Sequence, residues 1–264
     1  MTVRIALAGV VPSQNVEENL QNIKEIVQKA KDRGAELILF PETALMRGKE
    51  IKAQALGGLE IQALQELCAK ESIDLIIGFY EANAEANAEA NNAAKPYNSA
   101  IYIDSKGQIL YHWRKSHLYD AFSYQESSRI SAGSALPRAF DTRFGRFGLL
   151  ICYELRFPEL ARALALDGAS LLIFPTAWAA GPGKEAQFEL LARARALENT
   201  CFVAAPNLCA PFGTGSGLVI DPFGVLRLRL DSSADLGFFD LDFSLQKKAK
   251  ELLPCLAQRR EELY

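Results

Sequence analysis

Short apolar runs alternate with amphipathic helical stretches along this chain, and the alternation occurs twice. In the first half, residues 4–10 read as a buried strand. Residues 16–33 carry apolar side chains at 16, 20, 23, 26, 27 and 30, the one-sided stripe of a helix, and Gly34 follows as its C-cap. LILF at 37–40 is a short strand ended by Pro41, and residues 59–70 form a second amphipathic helix. Strands follow at 75–80, 99–103 and 109–113, with Gly107 marking the hairpin turn between the last two. The second half repeats the scheme. A strand at 147–151 leads to a helix at 158–167 with proline near its start. LLIF at 171–174 is ended by Pro175, a helix spans 185–200 and a strand 202–205. Strands at 218–220, 225–230 and 237–241 are linked by turns at 222–224 and around Asp231, and the tail from 244 is helical until Pro254. Tight turns between several strands argue against an all-parallel sheet and for two sheets with helices outside. No Gly/Ser-rich linker divides the chain, so residues 1–264 read as a single domain.

Composition narrows the function classes. A chain of 264 residues buries roughly three-quarters of its unfolded surface and needs no disulfide or metal staple. The net charge of −3 lacks the basic footprint of a nucleic-acid binder and the polybasic patch of a membrane-surface protein. Five cysteines with no CxxC argue against both a disulfide framework and a structural zinc site. With only His112 and His117, a histidine-rich metal site is disfavoured too. The apolar start is too short for a signal or membrane segment, so the expected location is the cytosol. Residues 81–92, EANAEANAEANN, form a period-four insert that reads as a tolerated surface loop between two strands, the other reading being a binding appendage.

Three chemistry-bearing residues fall at strand ends. Cys152 follows the strand RFGLLI, and a helix is expected to open just after it in YELRFPELARAL. A thiol held at such a turn, facing a helix N-terminus, is a nucleophile candidate; the competing reading is a small buried hydrophobe. Neither histidine stands out as its base. Glu42 lies just beyond LILF in FPET, and Lys115 ends a third strand in ILYHWRKSHLYD. Each taken alone could be a structural ion pair or a solvated loop charge, but in α/β architectures strand ends are where sites are assembled.

Taken together, the motifs closely resemble those of the nitrilase superfamily, the carbon–nitrogen hydrolases. FPE at 40–42, RKxHL at 114–118 and GxxICYExRFPE at 148–159 occur in that order. PYNSAIYID, YQESSRISAG, RARALEN and DPFGVL match in between and after, so the resemblance covers nearly the whole chain. It implies a four-layer α-β-β-α sandwich, two mixed sheets with helices on the outer faces, that forms a homodimer or higher homo-oligomer through its sheet-flanking helices. It implies Glu42 as general base, Lys115 as cationic oxyanion stabiliser, Cys152 as nucleophile and Glu126 as a second glutamate supporting the lysine. The backbone N–H of Tyr153 is implied to complete the oxyanion hole. No metal and no organic cofactor is required. In a dry pocket, the carboxylate is expected to rise in pKa and the thiol to fall beside the ammonium, narrowing the gap between them.

CYELRFPE looks most like the branch that includes ω-amidases and deaminated-glutathione amidases. The implied substrate is a small primary carboxylic amide, cleaved to acid and ammonia through a thioester. A nitrile or N-carbamoyl substrate, or a non-enzymatic scaffold, is the alternative. Arg156 is a candidate for a substrate carboxylate, or equally for a salt bridge to a neighbouring glutamate. Two departures from the family pattern, Gln187-Phe188 and Gly215-Ser216-Gly217, lie where the pocket wall or its support is expected.

Overall fold

The computed structural model describes residues 1–84, 95–231 and 236–263. The elements run β1 (Thr2–Ala8), α1 (Val16–Asp32), β2 (Leu37–Leu39), α2 (Leu59–Glu71), β3 (Asp74–Glu81), β4 (Tyr97–Ile103) and β5 (Ile109–Arg114). A small hairpin follows, β6 (Asp120–Ala121) and β7 (Tyr124–Gln125), then β8 (Phe140–Thr142) and β9 (Gly145–Leu149). The remainder is α3 (Pro158–Leu166), β10 (Leu171–Ile173), α4 (Lys184–Asn199), β11 (Phe202–Ala205), β12 (Leu218–Ile220), β13 (Leu226–Arg229), β14 (Leu236–Asp242) and α5 (Phe243–Leu252). The expected insert begins inside β3, at Glu81, and its residues 85–92 lie outside the described residues.

Local chemistry sets the helices. Asn15 caps α1, its side-chain oxygen accepting from the Glu17 and Glu18 amides at 3.0 and 3.3 Å. Glu17 and Glu18 occupy the first turn and Lys29 and Lys31 the last, which complements the helix dipole. Of the expected stripe, Ile23, Val27 and Ala30 are fully buried. Asp242 caps α5 through the Ser244 amide, 2.9 Å.

Among the described residues the strands form two six-stranded sheets and the separate β6–β7 ribbon. The first sheet has the order β14-β1-β2-β3-β4-β5 and the second β13-β12-β11-β10-β9-β8. In each, three neighbouring strands run parallel (β1-β2-β3 and β9-β10-β11) and are flanked by antiparallel ones. The two halves thus repeat one pairing scheme, as the repeated alternation suggests, and the sheets are mixed.

The period-two alternation of side chains assigns the layers. Val3, Ile5, Leu7, Leu37, Leu39, Ile76 and Tyr102 pack in one cluster with Phe147, Leu149 and Ile173 of the second sheet. Their neighbours Ala6, Ala8, Ile38, Phe40, Leu75 and Ile77 face the other way, onto Ile23, Val27 and Ala30 of α1 and Ile61 and Leu64 of α2. On the far side of the second sheet lie Ala161 and Leu164 of α3 and Phe188, Ala192 and Ala196 of α4. The layer order is therefore α-β-β-α. β2 runs parallel to β1 and β3, and β9 parallel to β10, so Glu42 and Cys152 follow the carboxyl ends of parallel strands, one in each sheet.

Candidate active site

The chain leaves β2 through Phe40, Pro41 and Glu42, and the next residue, Thr43, has φ +52°. A β-branched residue in left-handed backbone is strained, so the turn after Glu42 is held by its surroundings. Gly78 of β3 permits it. A Cβ there would sit 2.6 Å from Glu42 Cα and 2.7 Å from the Thr43 nitrogen. Lys115 follows β5 directly; its amide donates to the Asn98 carbonyl at 2.8 Å, and its carbonyl accepts from Gly133 at 2.9 Å. Cys152 follows β9 with φ +46° and donates its own N–H to the Pro175 carbonyl at 3.0 Å.

One expectation is corrected here. No α-helix opens just after Cys152. Residues Cys152–Arg156 form a 3-10 turn and α3 begins only at Pro158. The helix field, which falls off within a turn, therefore does little for the sulfur.

The charged groups converge. Lys115 Nζ lies 2.8 Å from Glu42 Oε1 and 2.9 Å from Glu126 Oε2, and all three side chains are buried. Asn98, which the sequence reading did not single out, donates through Nδ2 to Glu42 Oε1 at 2.7 Å and to Glu126 Oε1 at 2.9 Å. The Ala177 N–H donates to Glu42 Oε2 at 2.8 Å, and the Tyr119 N–H to Glu126 Oε2 at 2.7 Å. Two carboxylates thus share one ammonium, and each oxygen has a donor. The sequence signal for Asn98 is its place in the PYNSAIYID stretch, as a polar residue near the start of a mostly apolar strand. Ala177 acts through its backbone, which leaves no signal at all.

Electrostatics differ from the sequence expectation. Burial pushes the Glu42 carboxyl up, but Lys115 and Arg47 pull harder, and it ends below the usual carboxylate range. Burial and the Glu42 charge push the Cys152 thiol well up, and Lys115 offsets them only in part. Lys115, despite burial, is held firmly protonated by Glu42 and Glu126. The gap between carboxylate and thiol is therefore wide in the resting site. The resting state is a neutral thiol beside an ionised carboxylate and an ammonium.

Glu42, Lys115, Glu126, Cys152, Tyr153 and Arg156 all line one cavity of about 530 Å³, counted to its open mouth. His112 pairs with Glu81 at 2.6 Å and His117 stacks on Phe157, so neither histidine faces this space. Arg156 stacks on Trp178 at 4.7 Å and donates to Gln187 Oε1 at 2.8 Å. The expected alternative, a salt bridge to a neighbouring glutamate, is not formed: no carboxylate pairs with Arg156 among the described residues. Phe188 stacks under Trp178 at 5.1 Å. Gln187 and Phe188 thus support the wall, as expected of that departure. Gly215, Ser216 and Gly217 do not themselves line the cavity, but Thr214 just before them donates its N–H to the Trp178 carbonyl at 2.9 Å, so this segment stands behind the wall. Two further wall cations escaped the sequence reading. Arg47 donates to Thr43 Oγ1 at 2.9 Å, and Lys184 donates to Tyr119 Oη at 3.0 Å and sits 3.6 Å over the Phe122 ring. Among the described residues no group of histidine, cysteine and carboxylate side chains is arranged to hold a metal ion.

A two-sheet α-β-β-α layer with Glu42, Lys115 and Cys152 at its strand ends is the arrangement that the motifs imply, and the comparisons agree in family and fold. The chain belongs to the carbon–nitrogen hydrolase family, whose model matches residues 4–250. It is 33% identical to a deaminated glutathione amidase of Synechocystis sp. over 93% of this chain and 93% of that protein. It is 31% identical to a deaminated glutathione amidase of Escherichia coli O157:H7 over 92% of each. Among solved structures, the Caenorhabditis elegans NitFhit protein superposes with a TM-score of 0.90 at 30% identity, over 100% of this chain and 66% of that one. An amidase from Nesterenkonia sp. AN1 superposes with a TM-score of 0.82 at 25% identity, over 99% and 98%. That structure is a Glu-to-Gln mutant in which acrylamide has added to the active-site cysteine.

Proposed function

We propose that this protein is an amidase that hydrolyses a small carboxylic amide to acid and ammonia through a thioester on Cys152. The observation that carries the reading is Lys115 held within 2.9 Å of both Glu42 and Glu126, in the cavity that Cys152 lines.

In this mechanism the thiol passes its proton to Glu42 as sulfur attacks the amide carbon. Because the thiol is neutral at rest, Glu42 works as a general base during attack and no stored thiolate is needed. Charge developing on the amide oxygen is met by the Lys115 ammonium and the Tyr153 N–H. Donors of this kind are worth about 3–4 kcal/mol each in other enzymes. Glu42 returns the proton to nitrogen, and ammonia leaves. Water then gives a proton to Glu42 while attacking the thioester, and the acid departs as sulfur is reprotonated. Glu126 and Asn98 keep Lys115 and Glu42 in place throughout. Every proton is accounted for without metal or cofactor.

The wall points to an anionic substrate. Glu42 and Glu126 share Lys115, and the field of Arg47 acts on Glu42. Arg156 and Lys184 face the cavity with no carboxylate partner among the described residues, and the buried Arg156 Nε has no hydrogen-bond partner there. Arg156 takes a substrate carboxylate in this reading. The relatives named above make amides of carboxylate-bearing acids the first class to assay.

The rest of the reading is one hydrolase domain over residues 1–264, working in the cytosol as a homodimer. Leu190 and Leu197, seven residues apart on one face of α4, are exposed and suit a contact through the outer helices. The test is ammonia release over a panel of ω-amides, amino-acid amides, N-carbamoyl compounds and nitriles. Turnover of carboxylate-bearing amides, abolished in Cys152→Ala, is expected. Turnover of nitriles alone, or appreciable turnover by Cys152→Ala, overturns the assignment.

A further inference from the structure

Glu154 stands two residues after Cys152, is completely buried, and has no role in the proton path. Its carboxylate gathers donors from both sides of the site. Oε2 accepts from the Trp113 indole N–H at 2.8 Å and the Ile151 amide at 2.7 Å. Oε1 accepts from the Ser116 amide at 2.7 Å, the Ser116 hydroxyl at 2.6 Å and the His117 amide at 3.4 Å. Ser116 is the residue after Lys115, and Ile151 the residue before Cys152. No lysine or arginine forms an ion pair with it among the described residues; His117 Nδ1, at 4.0 Å, is its nearest ionisable partner. With the Ser116 proton given to Glu154, the Ser116 oxygen accepts from His117 Nδ1–H across 2.8 Å.

Burying a carboxylate with little cationic compensation is costly, and an apolar residue of similar volume would fill the space more cheaply. What an apolar residue cannot do is bind the backbone on both sides at once. The Lys115 strand end belongs to the first sheet and the Cys152 turn to the second. Each functional residue therefore has an immediate backbone neighbour tied to the same carboxylate. The Cys152 turn also carries φ +46°, an unfavourable conformation that must be held from outside.

We infer that Glu154 is a positioning residue: it sets the Cys152 sulfur against the Lys115–Glu42 pair by clamping the two sheets' strand exits together. This rests on the hydrolase reading for its effect on turnover, while the clamp itself is independent of it. An amide cannot replace the carboxylate. The Oε2 side faces two obligate N–H donors, so Gln must turn its oxygen there. Its own NH2 then meets the Ser116 amide, donor against donor.

The experiment measures steady-state kinetics, the rate of Cys152 alkylation by iodoacetamide, and the thermal melt for Glu154→Gln and Glu154→Asp. The expected result is kcat lower by about tenfold to hundredfold, the loss associated with small misplacement of reacting groups, with KM nearly unchanged. Alkylation of Cys152 in the folded protein should slow in parallel. A purely structural role gives the opposite sign, since loosening the fold exposes the thiol and speeds its labelling. Wild-type kcat and alkylation in Glu154→Gln, or faster alkylation, overturns the clamp. If Glu154→Gln does not accumulate folded, Trp113→Phe removes only the indole donor; lower kcat with unchanged KM is expected, and an unchanged kcat overturns the proposal. If the wild-type protein hydrolyses none of the amides, the hydrolase reading fails while the alkylation rates still decide the clamp.

Discussion

At the scale of single residues, the site is a problem in placing charge inside an apolar molecule. Lys115 is almost wholly buried, and two carboxylates keep it charged. Its replacement by arginine keeps the charge but puts a wide planar fork where a compact ammonium fits between Glu42 and Glu126. Lys115→Arg is expected to lose about a hundredfold or more in kcat, close to Lys115→Ala; wild-type-like kinetics would mean that charge alone is needed. The directions of the pKa shifts give a second expectation. The active form has Glu42 ionised and both Lys115 and the thiol protonated. Glu42 lies below the usual carboxylate range and the other two lie well above neutrality, so kcat/KM should be flat through the neutral range. A pH profile with its acid limb near neutrality contradicts the assignment of the base. Arg156→Gln should act differently from either change. It should raise KM for carboxylate-bearing amides while sparing an uncharged amide, because it removes binding and leaves the chemistry in place.

At the scale of elements, the site depends on how closely strand exits approach one another. Gly78 is the clearest case, because any side chain there collides with the backbone of Glu42 and Thr43. Gly78→Ala is expected to displace the base and lower kcat by about tenfold or more. The check is a crystal structure of the variant beside its kinetics; an unmoved Glu42 with full activity sinks the argument. The strands that bear Glu42, Lys115 and Cys152 were legible because each is a short apolar run that breaks abruptly into polar residues. The motif order then told which breaks belong together. The β6–β7 ribbon was not legible: two-residue strands carry no periodicity, and Phe122 and Ser123 make its turn with positive φ although neither is glycine. The helix expected at 158–167 is α3, but the 3-10 turn that separates it from Cys152 was missed for a related reason. Pro158 sits well at the first position of a helix, but nothing in CYELR marks that stretch as 3-10 rather than α. Arg47 and Lys184 lay in loops whose paths only the packed structure defines.

At the scale of the whole molecule, the end of the sheets opposite the site is fastened by buried polar groups. Asp74 opens β3, accepting from the Tyr102 hydroxyl, the Ser105 amide at 3.0 Å and Arg143 Nε at 3.0 Å, which joins the β8–β9 turn to the first sheet. On the site side of β3, Glu81 binds His112, Arg114 and Ser99. Burial pushes the Glu81 carboxyl up, but hydrogen bonds from His112, Arg114 and Ser99 win and bring it from the usual 4.5 to about 2. A carboxyl lowered on folding stabilises above its unfolded pKa and loses that contribution as pH falls towards the folded value. For Glu81 the window runs from about 4.5 down to about 2 and the full contribution is about 3 kcal/mol. Denaturant melts of wild type and Glu81→Gln should therefore converge as the pH is lowered through that window. A constant difference between them across it would remove Glu81 from the account of acid stability.

Pairing between β1 and β14 has a consequence for biosynthesis. Thr2 faces Asp242, so β1 finds its neighbour on that edge only after every other strand of both sheets and then β14 have been made. Until then the first sheet has an open edge with unmet backbone donors and acceptors, a template for wrong pairing. The groups of the site are divided in the same way. Glu42, Lys115 and Glu126 emerge early, while Cys152 and the Ala177 amide that fixes Glu42 emerge later and belong to the other sheet. A nascent or truncated chain therefore does not carry a working thiol. The reactive centre comes into being only when the molecule that shields it is closed.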